Sequence, residues 1–292
     1  MVATLGRVSA GSGYEYLTNS VATGAHDYYT GAGERPGRWH GAGATMLGLQ
    51  GEVSRGQMQA LFGQFLDPRG LTFTPDGQQF DVAPGVRELQ ILGGNPYRFS
   101  GDPGTTARQA VAGFDVQFAP SKSVSAVWAL APAAERARIE VLHDRAIDAA
   151  FFYLERHALF ARAGRNGVRQ VDGDGFVVAR FQHRTNRNGD PQLHTHCAVL
   201  NRVFCPEDGR WRTLDGRALF RELHAAGAVY AREFEESLSA EFGFSWSSTV
   251  DETGERQVVP FREIEGVPAR LVEVWSSRRR EKIGRASCRE RV

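Results

Sequence analysis

Three histidines, His183, His194 and His196, are spaced so that one strand hairpin could bring them to a common face. Two apolar runs, Phe176–Phe181 and Leu193–Val199, flank a polar segment centred on Asn188 and Gly189, a dipeptide that favours a two-residue hairpin turn. With the turn there, residues equidistant from it pair, so His183 stands opposite His194. His196 falls on the same face because side chains alternate along a strand. Opposed Cβ atoms sit roughly 5 Å apart and diagonal ones about 7–8 Å, near enough for three imidazoles to share one ion. Three neutral imidazoles leave coordination positions open, as in a metal site that works on a substrate. A lone His-Thr-His pair would be equally at home on a half-exposed strand; the third histidine in register is what points to metal. Imidazole suits zinc, manganese or iron better than magnesium, so residue type alone leaves the ion open. Pro191 donates no ladder hydrogen bond and must open its strand or sit at an edge.

Four of the seven tyrosines, Tyr14, Tyr16, Tyr28 and Tyr29, fall in one window near the N-terminus. A phenolate is a competent nucleophile when a metal or base lowers its pKa, and the covalent intermediate divides one hard step into two. Tyrosine-rich windows serve packing equally well. Residues 111–118 alternate, with Phe114, Val116 and Phe118 on one face and Asp115 and Gln117 on the other. Asp115 is thereby presented beside a sheet, where a carboxylate could orient a histidine or take a proton; it could also be the wet side of a strand. Lys122 opens an apolar helix whose first N–H groups offer a phosphate contact, or is simply an exposed lysine at a capped helix start.

The elements that must position these residues follow from the same patterns. Residues 1–9 alternate as a strand. Residues 31–51 are glycine-rich and read as a mobile connection, because they lack the setting and the Lys-Ser/Thr ending of a P-loop; Trp39 within them could stack on a base or anchor the loop. Ser54 caps a short helix to Phe62, and residues 67–104 are turn-rich. Residues 133–162 read as one long amphipathic helix, and 218–242 as a second. Trp211–Leu214 is a short strand. Phe244–Trp246 and Gln257–Phe261 suggest a hairpin around Asp251–Gly254. Pro268 starts a last helix through Arg280. Residues 283–292 have neither apolar period nor turn logic and are expected to lie outside the domain, which spans residues 1–282.

A chain of 292 residues with 41% hydrophobic content can bury a sizeable core, read here as one domain. The net charge of +1 excludes a globally basic nucleic-acid binder, so any such surface is local. Cys197, Cys205 and Cys288 are too few and too scattered for a disulfide framework. No apolar run reaches the roughly 18–20 residues of a membrane span, and no signal-peptide pattern opens the chain, so a cytoplasmic location is expected.

Four stretches together, SAGSGYEYL with HDYYTG, GRWHGAGATMLGLQG, GFDVQFAPSKSVSAVW and HRTNRNGDPQLHTHCAVLNRV, resemble the relaxase domain of TrwC/TraI-type conjugative relaxases, the MobF class of HUH endonucleases. EIEGVPARLVEVWSSRRREKI is similar to that domain's later part, and the resemblance covers residues 1 to about 282. It implies an α+β fold, a central antiparallel sheet flanked by helices and related to a circularly permuted RRM-like palm. It also implies metal-dependent, strand-specific nicking of single-stranded DNA at a transfer origin, with a 5′-phosphotyrosine, a free 3′-hydroxyl and later rejoining. By position, His183, His194 and His196 would hold a divalent ion, magnesium or manganese first and zinc as the alternative. Asp115 would support the site, with Tyr14 the leading nucleophile, Tyr16 its rival, and Tyr28 with Tyr29 the second pair. Glu15 separates Tyr14 from Tyr16 where the family has an adjacent pair. Trp39, Lys122 and Arg187 would contact DNA. Expected partners are the origin strand, relaxosome accessory proteins and a type IV secretion coupling protein, with the chain monomeric, not membrane-inserted, and able to travel to a recipient cell with the DNA.

Two other classes share these residues. A metal-dependent phosphodiesterase using water, or a non-haem iron oxygenase, would use the histidines and Asp115 and need no tyrosine. A single-stranded DNA binder without catalysis would need neither, and its binding would fall steeply with salt.

Overall fold

Strict side-chain alternation builds the centre of the molecule. The computed structural model describes residues 3–22, 35–93, 110–164, 167–186, 188–247 and 262–277. In chain order the elements are β1 (Ala3–Ser9), α1 (Glu15–Ala22), β2 (Arg38–His40), α2 (Ala42–Met46), α3 (Arg55–Met58), β3 (Leu71–Phe73), β4 (Phe80–Val82), β5 (Val111–Phe118), α4 (Lys122–Leu130) and α5 (Ala133–His157). They continue with β6 (Phe160–Ala163), β7 (Arg169–Asp172), β8 (Val178–Thr185), β9 (Pro191–Leu200), β10 (Val203–Cys205), β11 (Arg210–Arg212), α6 (Gly216–Phe242) and α7 (Ala269–Val274). The main sheet has the order β1-β5-β9-β8-β2 and every adjacent pair is antiparallel. This is the antiparallel α+β architecture expected.

Strands β1, β5, β8 and β9 each feed two cores. Phe114, Val116 and Phe118 of β5, with Leu193, Cys197 and Val199 of β9, pack beneath α4, α5 and α6. Ala179 and Phe181 of β8, with Ala198 and Leu200 of β9, face a second cluster that includes Leu17 of α1, Met58 of α3 and Phe62. Each fully buried Leu or Phe stabilises the fold by ~1.5–3 kcal/mol, which is what fixes the strands' facing. Toward the start of β9 this second face turns polar, and His194 and His196 lie on it with His183 and Asp115.

Several expectations need correction. The glycine-rich stretch is not a mobile connection in its described part: it contains β2 and α2 and packs tightly. A Cβ on Gly41 (φ +91°) would lie 2.1 Å from the Phe176 carbonyl oxygen, and one on Gly43 2.5 Å from that of Gly175, so these glycines permit close approach of backbones. The long helix ends at His157, and Phe160–Ala163 forms a strand instead, paired with β7. Trp246 bridges to Ile264, later than the partner expected for that hairpin, and Gln257–Phe261 lies outside the described residues. The last helix is described only as Ala269–Val274, and residues 283–292 lie outside the described residues.

The hairpin that carries the histidines has the expected register but a longer connection. Gly189 N donates to Asn186 O (3.0 Å) and Asn186 N to Asp190 O (3.0 Å), while Asn186 Oδ1 accepts from the N–H groups of Asn188 and Asp190. Asn186 thus forms an Asx-type turn with Asn188 and Asp190. The pairing slips by one residue between His183 and Thr185, beyond the histidines, so their register survives. Pro191 opens β9, where its missing N–H is not needed.

Candidate active site

His183 and His194 are directly opposed across β8 and β9, and His196 lies two residues further along, paired with Phe181. The ring centroids are 5.2 Å (His183–His194), 5.0 Å (His183–His196) and 5.2 Å (His194–His196) apart. One nitrogen from each ring lies within 4.8 Å of the others, the arrangement of a single-ion site. Two of the rings are aimed from behind. His194 Nδ1 is 2.9 Å from the Gln192 carbonyl oxygen, and His196 Nδ1 is 2.8 and 2.9 Å from the Asp115 carboxylate oxygens. Donating from Nδ1 leaves Nε2 of each with its lone pair for an ion. Burial, reinforced by His194 and His196, pushes the His183 pKa down to about 3, so that ring is a neutral donor at neutral pH. An all-imidazole set oriented in this way fits a divalent transition metal. The Gln192 contact carries no sequence signal, because it uses a main-chain oxygen.

Asp115 sits on β5, opposite Ala198 and Gly6. Gly6 has no side chain, and a Cβ there would meet nothing within 4 Å, so the carboxylate has open space beside it. Its second partner is Tyr16, whose hydroxyl donates to Oδ2 at 2.7 Å. The Tyr16 ring also stands edge-on to His196, centroids 6.2 Å apart. Burial, followed by the charge and hydrogen bond of Asp115, raises the Tyr16 pKa, so the phenol is protonated and its proton already points at an acceptor. The chain reaches this spot through a tight return after β1: a Cβ on Gly13 would lie 2.2 Å from the Ser9 carbonyl oxygen.

Tyr14, expected as the leading nucleophile, is 3% exposed and belongs to the apolar cluster with Leu17 and Phe62, whereas Tyr16 is 47% exposed. Tyr16 is therefore the hydroxyl at the site. Trp39 is 6% exposed, and its Nε1 donates to Gln57 Oε1 at 2.9 Å; its indole is a core side chain of β2 and offers no face to a base. Lys122 Nζ donates to the Pro191 carbonyl oxygen at 2.7 Å, and the Glu263 carboxylate accepts from Ser123 N at 2.8 Å. That helix start therefore binds the protein's own groups, and Lys122 ties α4 to the start of β9. Tyr28, Tyr29 and Arg187 lie outside the described residues.

The chain is similar to known proteins in sequence and in fold. The TrwC relaxase family matches residues 10–290. The multifunctional conjugation protein TraI of Escherichia coli is 31% identical over 289 residues, and its counterpart in strain K12 is 30% identical over 286. Each alignment covers 94% of this chain but 14% of the relative, so the chain spans about a seventh of their length. Among solved structures, the conjugative relaxase TrwC in complex with oriT DNA in a copper-bound form superposes with a TM-score of 0.69 at 26% identity, covering 99% of this chain and 84% of that one. A metal-bound TrwC complex with oriT DNA gives 0.66 at 23% identity, covering 98% and 83%, a likeness of fold.

Proposed function

This chain belongs to the TrwC relaxase family, and on that premise we propose that it is a conjugative relaxase domain, nicking and rejoining single-stranded DNA at a transfer origin with Tyr16 as its nucleophile. The observation that carries this reading is the unbroken contact series from the Tyr16 hydroxyl through the Asp115 carboxylate to His196 of the imidazole trio. A hydrolase using water, or an oxygenase, would have no use for a phenol bonded to that carboxylate.

In the nicking step Asp115 Oδ2 accepts the phenolic proton as Tyr16 Oη bonds to phosphorus. The bond from phosphorus to the 3′-oxygen breaks, and the leaving oxygen takes up, through solvent, the proton that Asp115 received and becomes the 3′-hydroxyl. Reversal by the 3′-hydroxyl rejoins the strand and returns the proton to Asp115 and then to Tyr16. His183, His194 and His196 would hold the divalent ion, manganese or magnesium in our reading with zinc as the alternative, and it would supply positive charge to the scissile phosphate. Asp115 serves twice, because the carboxylate that takes the proton also holds His196 in the tautomer that presents Nε2. Tyr28 and Tyr29 are the proposed second pair for strand transfer. The proposed setting is the cytoplasm, with relaxosome accessory proteins and a type IV secretion coupling protein as partners.

The test is incubation with an origin-derived single-stranded oligonucleotide and manganese, then a denaturing gel and peptide mapping. A DNA-linked peptide carrying the adduct on Tyr16, absent from Tyr16→Phe and retained in Tyr14→Phe, is the expected result. Wild-type cleavage by Tyr16→Phe would sink the assignment.

A further inference from the structure

On the sheet face opposite the histidines, α5 presents polar groups where apolar ones would pack. Glu140 is 1% exposed and His143 0%, and both are fully engaged. The Glu140 carboxylate accepts from Trp128 Nε1 at 3.2 Å and pairs with Arg184 at 3.2 Å and Arg35 at 3.1 Å. One turn later, His143 Nδ1 is 2.7 Å from the Tyr230 hydroxyl of α6 and Nε2 is 3.0 Å from Thr195 Oγ1. Further along, Asp148 accepts from Arg180 at 2.6 Å.

The partners on the sheet belong to the histidine hairpin. Arg184 follows His183 directly, and Thr195 stands between His194 and His196. The spacings agree: from Glu140 to Asp148 a helix rises about 12 Å, and from Arg184 to Arg180 a strand spans about 13 Å. Two ion pairs thus fix the sliding position of α5 along β8, while His143 ties it to β9. Of the two, the pair at Asp148 is open to solvent and weak, whereas that at Glu140 is enclosed.

We propose that Glu140 and His143 are positioning residues for the metal centre, gripping β8 beside His183 and β9 between His194 and His196 from the far face of the sheet. Adjacent strand side chains point to opposite faces, so holding Thr195 from behind sets the roll of β9 and aims both neighbouring imidazoles together. Buried polar groups are costly even when satisfied, and apolar residues of similar volume would stabilise such an interface at least as well. Their presence behind the ligand strands is explained by a requirement for one defined placement.

This inference rests on the metal centre of the relaxase reading, and the experiment separates the two. Manganese affinity is measured by calorimetry, and cobalt(II) binding by its visible absorption, for the wild type, Thr195→Val, Thr195→Ser and Tyr230→Phe, each checked for folding by circular dichroism. Thr195→Val keeps the shape of the side chain and leaves His143 Nε2 unpaired. We expect manganese affinity to fall about tenfold or more, as for other partners behind metal ligands, with an altered cobalt spectrum, and Thr195→Ser to restore both. Unchanged affinity and spectrum in a folded Thr195→Val overturn the proposal even if its melting temperature drops, since that is the mark of a purely structural role. Should Thr195→Val not fold, Tyr230→Phe decides in the same sense, because it frees the other nitrogen of His143 without touching β9. A wild type that takes up no ion removes the metal centre itself.

Discussion

Replacing Asp115 by asparagine isolates proton transfer from metal orientation, because the two Asp115 contacts respond differently. An asparagine Oδ1 can still accept from His196 Nδ1, which in the native site lies 2.9 Å from one carboxylate oxygen. The atom facing the Tyr16 hydroxyl, 2.7 Å away in the native site, can become an amide that takes no proton. Loss of a positioned general base costs about 10²–10⁴ in rate, which is about 2.7–5.5 kcal/mol of barrier at 1.36 kcal/mol per factor of ten. Weakened support of His196 would lower metal affinity by about 10–100-fold, an effect that saturating manganese overcomes. The assay is single-turnover cleavage of a labelled origin oligonucleotide on a denaturing gel, over a manganese titration and from pH 6 to 9. At saturating metal the variant should stay slow and gain rate with pH as solution base removes the phenolic proton, whose pKa burial and Asp115 raise in the native protein. Cleavage within about threefold of wild type at saturating manganese and neutral pH would refute the role given to Asp115, since the smallest expected loss is about 10²-fold.

Three further outcomes follow from the packing. Burial pushes His143 and His183 from 6.5 down to about 3, so both bind protons in the unfolded chain before the folded one; stability is full above pH 6.5 and falls as pH drops toward 3. Each contributes a slope of up to about 1.4 kcal/mol per pH unit, and chelator-treated protein should lose urea resistance between pH 6.5 and 5, where a flat midpoint would contradict it. Trp39→Phe should leave oligonucleotide affinity unchanged while lowering stability by about 1–3 kcal/mol through the Nε1 bond to Gln57 and the indole's packing; a large affinity loss with normal stability would restore a stacking role. Gly41→Ala puts a Cβ 2.1 Å from the Phe176 carbonyl at φ +91° and should destabilise by more than about 1 kcal/mol, read as a lowered melting temperature.

Much of the site was legible because it depends on strand parity. His183, His194 and His196 share a face through the two-residue strand period, and a loop of a different length changed nothing because the slip falls beyond His183. Asp115 was legible for the same reason, its apolar neighbours Phe114, Val116 and Phe118 forcing it to the other side. Trp39 was not, because a glycine-rich composition reads alike whether the glycines loosen a chain or admit a neighbouring backbone, and only the Phe176 and Gly175 carbonyls decide between these.

The sequence alone determined the chemistry on offer and the hairpin that gathers it, since residue type and local periodicity act over a few residues. Which tyrosine reaches Asp115 was decided only by the tertiary structure. Tyr14 and Tyr16 are two residues apart at the start of α1, and two helical steps turn about 200°, so one must face inward when the other faces out. Leu17 shares a helical face with Tyr14, but local sequence does not say that this face docks on the second core. The docking of α1 on the second core seals Tyr14 beside Leu17 and leaves Tyr16 over Asp115, because burying the other ring instead would turn Leu17 away from that core.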